Sequence, residues 1–584
     1  MSRKTEGRNA NILGRCEAGG GTSDFQERET RTAAVRKGKR AWKREIMHRK
    51  RIVMALLPVI SLLLLWLAVN VGEADRLEKY ILDGQTYDGL AAARQECDGA
   101  LLKGLTFEGE ELFYDRMSHT FYYSIPEGKR QGLNPVVSLE AMGGRIKFAL
   151  RGEGITDELI SSGRKIECMV YDDTSYEPYT LAVTTLPLMS IEAEKYMSDN
   201  DVKMEMTLFD NREDAGIRVW QSEGIIAYRG RTTRNYEKKG YKVALSDKVS
   251  LLGMRRDDDW LLYAGYNDQE KIRNVFSCNL WKNSCALNNS FGVDNGVEYR
   301  YLELFINGAY EGLYALGYRI DDKQMGVDLA ADNGCVYKKV NYYSEYPVTT
   351  WEDGSVPDYE IASKLTQAGQ EAEKWQQLYD FYDGIWQHRD DDDWLMDSVD
   401  VDNIIDMHLF LNLVQGEDNV KGSLTKNMYI TARRTKQGGW RYLYTPWDLD
   451  ITWGNVWLHE AKNYTLPYEF TPKDNVVWES GSLYELLCNG NEEVWNRYLD
   501  RYWQLRAGAW SEQAILEQLD RYEAQIFDSG AYVRDRERWV NGSYVETQTR
   551  LSGFKTYVLA RLEAMDDYYE SLPDSFTCAE RKAE

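Results

Sequence analysis

The sequence has few of the residues from which disulfide scaffolds and zinc sites are built. Its 584 residues include only 8 Cys and 5 His, with no Cys-x-x-Cys pair and no His-Glu-x-x-His motif. A disulfide-held secreted domain or a zinc protein would show closely and regularly spaced ligands. Both classes are therefore excluded, and any bound metal is expected to be a hard cation held by oxygen atoms.

Long apolar runs are also scarce, which excludes a polytopic membrane protein. The one such run, at residues 52–72, carries no charge and has about 20 residues, enough to cross ~30 Å of hydrocarbon. Residues 1–51 before it carry 15 Lys and Arg against 6 Asp and Glu, whereas the whole chain has a net charge of −23. A cleaved signal peptide is the alternative, but the basic region is too long and no A-x-A site follows. The pattern favours a single-pass signal anchor with a basic cytoplasmic arm and an acidic extracytoplasmic part.

The charge also bears on partners. The basic arm is expected to lie beside anionic lipid, and the acidic remainder makes nucleic acid an unexpected partner there.

Beyond the apolar run, the hydrophobic pattern divides the chain into four stretches. Residues 73–104 are expected to form a helical stalk, and residues 105–190 alternate as short strands typical of a small β-sandwich. Residues 191–475 mix strands and helices, and residues 476–575 show the apolar stripes of packed helices. Within the mixed stretch, Asn307-Gly308 predicts a hairpin turn, and residues 402–415 predict an apolar helix that ends at Gly416.

Two carboxylates follow a buried strand in the segment PWDLDITWG, at Asp448 and Asp450. In an extended segment, residues two apart share a face, so this pair would suit Mg²⁺ and leave room for phosphate oxygens. The alternative is a capped turn with two solvated acids.

A second polar cluster follows the apolar helix, with Asp418 at its start and Asn427 entering the next strand. An Asp can accept a hydroxyl proton, and an Asn can supply a neutral metal ligand. The alternative is a polar loop in which Asp and Asn form turns.

Cations are concentrated at residues 229–242, although the protein is acidic overall. A strand–loop–strand of this kind can hold phosphates, and the alternative is a solvated basic hairpin. The six cations are Arg229, Arg231, Arg234, Lys238, Lys239 and Lys242.

Several familiar catalytic motifs are absent or incomplete. There is no Walker A motif, no GxGxxG and no GxSxG. His388-Arg389-Asp390 spells the catalytic triplet of ordinary protein kinases, but Leu395 stands where those kinases have Asn. The triplet is interpreted as part of an exposed acidic loop.

The order of the three clusters is that of a phosphoryl-transfer fold, with phosphate cations first, then a hinge, a catalytic Asp, a metal Asn and a metal Asp. Together the segments resemble the CotH family of spore-coat kinase-like proteins. The resemblance rests on residues 229–245 (RGRTTRNYEKKGYKVAL), 251–274 (LLGMRRDDDWLLYAGYNDQEKIRN), 301–316 (YLELFINGAYEGLYAL), 425–430 (TKNMYI) and 446–454 (PWDLDITWG).

The resemblance implies an α+β, atypical protein-kinase-like bilobal domain at residues 191–475, which binds ATP and Mg²⁺ and phosphorylates protein Ser or Thr. Carried over by motif, it makes Asp418 the catalytic Asp and Asp448, Asn427 and Asp450 the metal ligands. The phosphate cations are expected to be Lys242, with Lys239 second, Arg229 and Arg234, and the adenine hinge is expected at residues 316–319, including Leu316 and Tyr318.

One position departs from the family pattern. The family places its catalytic Asp about five residues before the Asn, where this chain has Ser423, while Asp418 lies nine before it. Either residues 419–421 are an insertion or the base is absent.

The sequence leaves three functions open. The first is a membrane-anchored extracytoplasmic kinase acting on surface or coat proteins. The second is a non-catalytic adhesin or assembly scaffold with a kinase-like fold. The third transfers another part of the nucleotide, such as AMP. Fold analogy does not decide among them.

Overall fold

The computed structural model describes residues 75–578, apart from residues 153, 345–347, 423, 457–463 and 470–476. The predicted basic arm at 1–51, the predicted membrane span at 52–72 and Ser423 lie outside the described residues. Among the helices that are described, none has the length and apolar character needed to cross a bilayer.

The first part of the described chain is two β-sheets that share an apolar core. One sheet has the order β1-β8-β9-β10-β6-β5, with β2 beside β10, and the other has the order β4-β3-β7. The strands are β1 Ile81–Leu82, β2 Gln95–Glu96, β3 Leu102–Phe107, β4 Glu110–Glu111, β5 Phe113–Asp115, β6 Thr120–Ser124, β7 Val137–Ala141, β8 Lys147–Arg151, β9 Ile166–Tyr171 and β10 Ser175–Thr184. The helices are α1 Gly84–Ala92 and α2 Asp157–Ser161, with 3₁₀ turns at Leu77–Tyr80 and Glu127–Lys129.

The predicted stalk at 73–104 is wrong over its described part. Helix α1 buries Tyr87 against Ala149 and Met169 of the large sheet, and β1 pairs in parallel with β8. An amphipathic helix gains more from packing its apolar side on a sheet than from standing free in water.

The middle of the chain forms a closed barrel in which every strand has two neighbours, in the order β11-β12-β13-β14-β15-β17-β16. The strands are β11 Leu188–Ala193, β12 Val202–Phe209, β13 Val219–Arg229, β14 Gly240–Ser250, β15 Arg256–Tyr263, β16 Tyr299–Ile306 and β17 Ala309–Tyr318. A 3₁₀ turn at Thr232–Asn235 precedes β14, and helix α3, Arg273–Ser284, lies between β15 and β16. The turn predicted at Asn307-Gly308 is confirmed, since both residues have positive φ, at 50° and 71°.

A second α+β layer follows the barrel. It has a sheet in the order β20-β18-β23-β24 and a small sheet in the order β19-β22-β21. The strands are β18 Gly334–Lys339, β19 Tyr343–Ser344, β20 Tyr359–Ile361, β21 Val420–Lys421, β22 Leu424–Thr425, β23 Met428–Arg434 and β24 Trp440–Pro446. The helices are α4 Asp322–Met325, α5 Gln370–Gln387, α6 Asp392–Ser398 and α7 Val401–Val414.

Helix α7 confirms the predicted apolar helix but not its predicted stop. The left-handed residue at its end is Gln415, with φ 53°, rather than Gly416. Gln415 is held there because its amide contacts two outside groups, the hydroxyl of Tyr557 and the carbonyl of Pro467.

The C-terminal part is helical and packs on both preceding layers through one continuous apolar core. Its helices are α8 Ser482–Cys488, α9 Glu492–Arg506, α10 Glu512–Glu523, α11 Ala531–Arg538 and α12 Ser552–Glu570, with a π-helical turn at Ala524–Asp528. A disulfide joins Cys488 to Cys578 and closes this region.

Candidate nucleotide and metal site

A cavity of about 440 Å³ lies where the barrel meets the second layer. Its walls come from the cationic loop (residues 229–240), the tyrosine loop (residues 263–267), strand β18, residues 418–427 and residues 447–450. Six of the predicted site residues border this cavity. They are Arg229, Arg234, Asp418, Asn427, Asp448 and Asp450.

The two acids after β24 sit on a turn rather than on the extended segment that the sequence predicted. Asp448 has φ 57° and is exposed, whereas Asp450 is only 8 % exposed. Helix α3 stabilises this turn, because the Leu449 N–H donates to Oδ1 of Asn274 in that helix at 3.0 Å. Both carboxylates still border the same cavity.

The ionised form of Asp450 is unfavourable in its buried position beside Asp448. Burial first, and then the charge of Asp448, raise the pKa of Asp450 well above its ordinary value. Its described hydrogen-bond donor is Asn267, whose Nδ2 lies 3.1 Å from Oδ2. A divalent cation beside these two carboxylates would relieve the repulsion, so the donor set fits a hard cation such as Mg²⁺.

Asp418 and Asn427 meet across the cavity floor. Asn427 Nδ2 donates to Asp418 Oδ2 at 2.8 Å, and since only the amide oxygen can bind a cation, Oδ1 is the ligand atom that Asn427 offers. Asp418 Oδ1 also lies 2.6 Å from Lys426 Nζ and accepts from the Tyr342 hydroxyl at 3.1 Å.

The spacing that departs from the family pattern has a structural explanation. The chain between Asp418 and Asn427 makes the small antiparallel pair β21 and β22, with Val420 opposite Thr425. This excursion returns the chain to Asp418, so the long spacing does not separate the two polar side chains.

The buried side-chain amide of Asn419 joins the segment that contains Asn427 to the segment that contains Asp448. Asn419 Nδ2 donates to the carbonyl of Asn427 and to the carbonyl of Trp447, each at 2.9 Å. The residue is fully buried, so these bonds are made away from competing water. Asn419 therefore sets the spacing between Asn427 and the Asp448 turn.

Two cations that border the cavity lie against Trp447, the residue directly before Asp448. Arg229 lies 5.3 Å from the centre of the Trp447 ring, and Lys338 lies 5.9 Å from the same ring. Burial first, and then the charge of Arg229, lower the pKa of Lys338. Anionic phosphate between these two cations would reduce their mutual repulsion.

Two predicted lysines lie outside the described cavity lining. Lys242 points outward from β14 and pairs with Asp201 at 2.9 Å, because its strand neighbours Tyr241 and Val243 fill the inward face. Lys239 donates to the carbonyls of Arg234 and Tyr236, so it braces the cationic loop from within.

The residues predicted to form the adenine hinge do not lie at the cavity either. Leu316 and Tyr318 are each 1 % exposed and lie on β17, which is paired on both sides inside the barrel. The Tyr318 ring is covered by Arg255, whose guanidinium lies 4.1 Å from the ring centre. Neither side chain borders the described cavity.

Sequence reasoning missed Lys338 and Lys426, which do border the cavity. Each carried a weak signal. Lys426 directly precedes Asn427, and Lys338 is the first of two lysines that end the strand Gly334–Lys339.

A separate acidic group could be mistaken for a metal centre. Within the described ranges, the carboxylates of Asp257, Asp259 and Asp321 lie close enough to share one ion. Lys323 already fills that place, with its ammonium 2.6, 3.2 and 3.1 Å from them in that order. This group is therefore an ion-pair cluster around Lys323, and none of its members borders the cavity.

Comparison with known proteins agrees with the motif order. Residues 226–565, more than half of the chain, match the family described as CotH kinase protein. No curated protein matches the chain. The matched range contains the cationic loop, Asp418, Asn427 and the Asp448 turn, and by this match the chain belongs to the CotH kinase family.

Proposed function

We propose that this protein is a membrane-anchored, extracytoplasmic kinase that transfers the γ-phosphate of ATP to Ser or Thr hydroxyls of surface or coat proteins. Membership of the CotH kinase family supports a kinase-like function. The observation that carries the proposal is the meeting of Asp418 and Asn427, at 2.8 Å, in one cavity with Asp448 and Asp450.

In phosphoryl transfer, different residues of the cavity would bind the metal ion and the phosphates. Asp448, Asp450 and Asn427 would hold Mg²⁺, which when bound neutralises charge on the phosphate oxygens. Arg229 and Lys338, which border the same cavity, would contact the phosphates.

Asp418 would act as the general base for the Ser or Thr hydroxyl that accepts the phosphate. The acceptor hydroxyl oxygen forms a bond to the γ-phosphorus, the bond from that phosphorus to the ADP oxygen breaks, and the hydroxyl proton passes to Asp418. Lys426 and Asn427 hold the Asp418 carboxylate in one orientation for this step. Most of the rate in such reactions comes from positioning and electrostatics.

The extracytoplasmic location rests on two observations. Residues 52–72 are uncharged and follow a basic arm. The chain also carries a disulfide between Cys488 and Cys578, and such bonds persist in oxidising compartments.

The deciding experiment is a thermal-shift titration of the purified full-length chain with ATP, with and without Mg²⁺, followed by label transfer from γ-labelled ATP. At a ligand concentration of 100 times Kd, we expect a stabilisation of about 2.7 kcal/mol that requires Mg²⁺. Asp448→Asn should abolish it, whereas Asp390→Asn, in the His388-Arg389-Asp390 loop away from the cavity, should not.

The other two functions give different results. A chain with neither nucleotide-induced stabilisation nor label transfer, in which Asp448→Asn behaves as the wild type, would contradict the kinase proposal. Retained binding of a surface partner by an Asp418→Ala/Asp448→Ala double variant would favour the scaffold. Mass spectrometry of the modified substrate separates phosphate from AMP.

A further inference from the structure

A buried ion pair joins the cationic loop to the C-terminal helices. Lys238 Nζ lies 2.7 Å from Asp535 Oδ1, and both side chains are fully buried. Asp535 also accepts from the backbone N–H of Leu313 at 2.9 Å and from the Tyr544 hydroxyl at 2.8 Å. Strand β17 can approach this closely because residue 312 is glycine, where a Cβ would stand 2.2 Å from Asp535 Oδ1. A buried charge with this many partners is held in one place.

Lys238, the other residue of this ion pair, belongs to the cationic loop of the candidate site. Lys238 lies near the end of the cationic loop, whose Arg229 and Arg234 border the cavity. Asn541, which follows α11, extends the same contact, since its Nδ2 donates to Glu237 at 3.0 Å. The cationic loop is thus attached to the C-terminal region at two successive residues.

The tyrosine loop is attached to the same C-terminal segment. The Ser543 N–H donates to the carbonyl of Tyr266 at 3.1 Å. Lys271 Nζ donates to the carbonyls of Ser543 and Gly265, at 2.8 and 3.0 Å. The two loops also touch each other, since the rings of Tyr236 and Tyr266 stack with centres 5.1 Å apart.

We propose that Asp535 is a positioning residue for the nucleotide. Through Lys238 it holds the cationic loop in the position in which Arg229 and Arg234 border the cavity. This proposal rests on the proposed function, since it assumes that the cavity binds ATP. The C-terminal helices are then part of the nucleotide site, although none of their residues borders the described cavity.

The test compares two buried ion pairs on one helix. Asp535→Asn removes the charge that holds Lys238. Glu303→Gln is the matched control, because Glu303 pairs with the neighbouring Arg534 at 2.9 Å, is equally buried, and lies on β16 away from the cavity. Purified full-length variants are compared by their KM for ATP with Mg²⁺, by kcat at saturating ATP and by thermal midpoint.

We expect Asp535→Asn to raise the KM for ATP about tenfold with little change in kcat, because the loop binds ground state and transition state alike. Glu303→Gln should lower the thermal midpoint to a similar extent and leave the KM for ATP unchanged. Equal KM values in wild type and Asp535→Asn would overturn the proposal, as would an equal rise in both variants.

A second measurement does not depend on turnover. In hydrogen exchange without nucleotide, Asp535→Asn should exchange faster than wild type at residues 229–240, and Glu303→Gln should not. Unchanged exchange in that range would overturn the positioning role even if the kinase proposal stands. A wild type that binds no ATP would instead contradict the proposed function itself, and the positioning role with it.

Discussion

At the scale of single residues, the proposed catalytic group is defined by its neighbours. Asp418 receives hydrogen bonds or an ion pair from Lys426, Tyr342 and Asn427. A carboxylate with four acceptor positions can take these donors and still accept a substrate hydroxyl. Its contacts therefore orient Asp418 without closing it to an acceptor.

Asp418→Asn should separate nucleotide binding from transfer. We expect the rate of label transfer to fall by about 10²–10⁴-fold, the usual contribution of a general base, while stabilisation by ATP and Mg²⁺ remains. Tyr342→Phe is the control, since it removes one donor to Asp418 and leaves the carboxylate, and it should cost less than about tenfold. An Asp418→Asn variant as active as wild type would mean that another group takes the proton.

The buried Lys271 should make the stability of the protein depend on pH. Burial is the main cause that lowers the pKa of Lys271 to about 7, from about 10.4 in an unfolded chain. Between these values the unfolded state binds more protons than the folded state, so the free energy of unfolding should rise with pH, by at most about 1.4 kcal/mol per unit. Denaturant unfolding between about pH 7.5 and 9.5, below the range of tyrosine titration, measures this slope.

Lys271→Met removes the titrating group and should show a flatter pH profile than wild type, although it also loses the bonds from Nζ to the carbonyls of Ser543 and Gly265. Lys248→Met, at an exposed position on β14, should keep the wild-type slope. The same slope in wild type and Lys271→Met would show that Lys271 stays protonated in the folded protein.

The acids of the site were easier to predict from the sequence than its cations. Asp418 and Asp448 each follow a buried apolar element, and the chain leaves such an element at a defined place. The cations have long side chains, and several stand close together in the cationic loop. Lys242 was predicted to contact phosphate, although its place between the apolar residues Tyr241 and Val243 could have indicated that it points away from the barrel interior.

At the scale of elements, periodic segments were predictable and their junctions were not. The hairpin at Asn307-Gly308 and helix α7 follow local rules of turn chemistry and apolar spacing. The turn at Asp448 does not, because a positive φ in a non-glycine residue depends on contacts such as that of Leu449 with Asn274. Such contacts join distant parts of the chain and leave no periodic signal.

Asn419→Ala tests the buried amide that joins two of these junctions. Loss of both bonds from Asn419 Nδ2 should lower the free energy of unfolding by about 2–3 kcal/mol, since buried carbonyls lose their partner. It should also weaken binding of ATP with Mg²⁺, because Asn427 and Asp448 are no longer held together. Denaturant unfolding and the thermal-shift titration measure the two effects.

Asn403→Ala is the matched control for this substitution. Asn403 is also fully buried and makes two hydrogen bonds to the backbone of Tyr444, away from the cavity. It should lose similar stability and keep its affinity for ATP. If both variants bind ATP equally well, Asn419 contributes to the fold alone.

At the scale of the whole molecule, the sequence indicated which parts exist but not how they combine. The order of motifs pointed to the family, which the match over residues 226–565 shows. It did not indicate that the C-terminal helices reach back to the cationic loop, because Lys238 and Asp535 are 297 residues apart. It also left the pairing of Cys488 with Cys578 open.

The disulfide should stabilise the C-terminal region as a unit. It joins residues 90 apart and closes a loop that contains α9 to α12, including Asp535. Closing a loop of this length restricts the unfolded chain, so Cys578→Ser should lower the free energy of unfolding by about 2–5 kcal/mol. Denaturant unfolding of wild type with and without reductant measures this difference.

Reduced wild type should unfold at the same denaturant concentration as Cys578→Ser, and reductant should leave Cys578→Ser unchanged. Cys97→Ser, at a half-buried free cysteine in the first sheets, should retain the full response to reductant. Because the closed loop carries Asp535, Cys578→Ser should also raise the KM for ATP, though less than Asp535→Asn does. Wild type that unfolds identically in both conditions would show that the C-terminal helices are held by their apolar core alone, and that the tail needs no oxidising compartment to support the site.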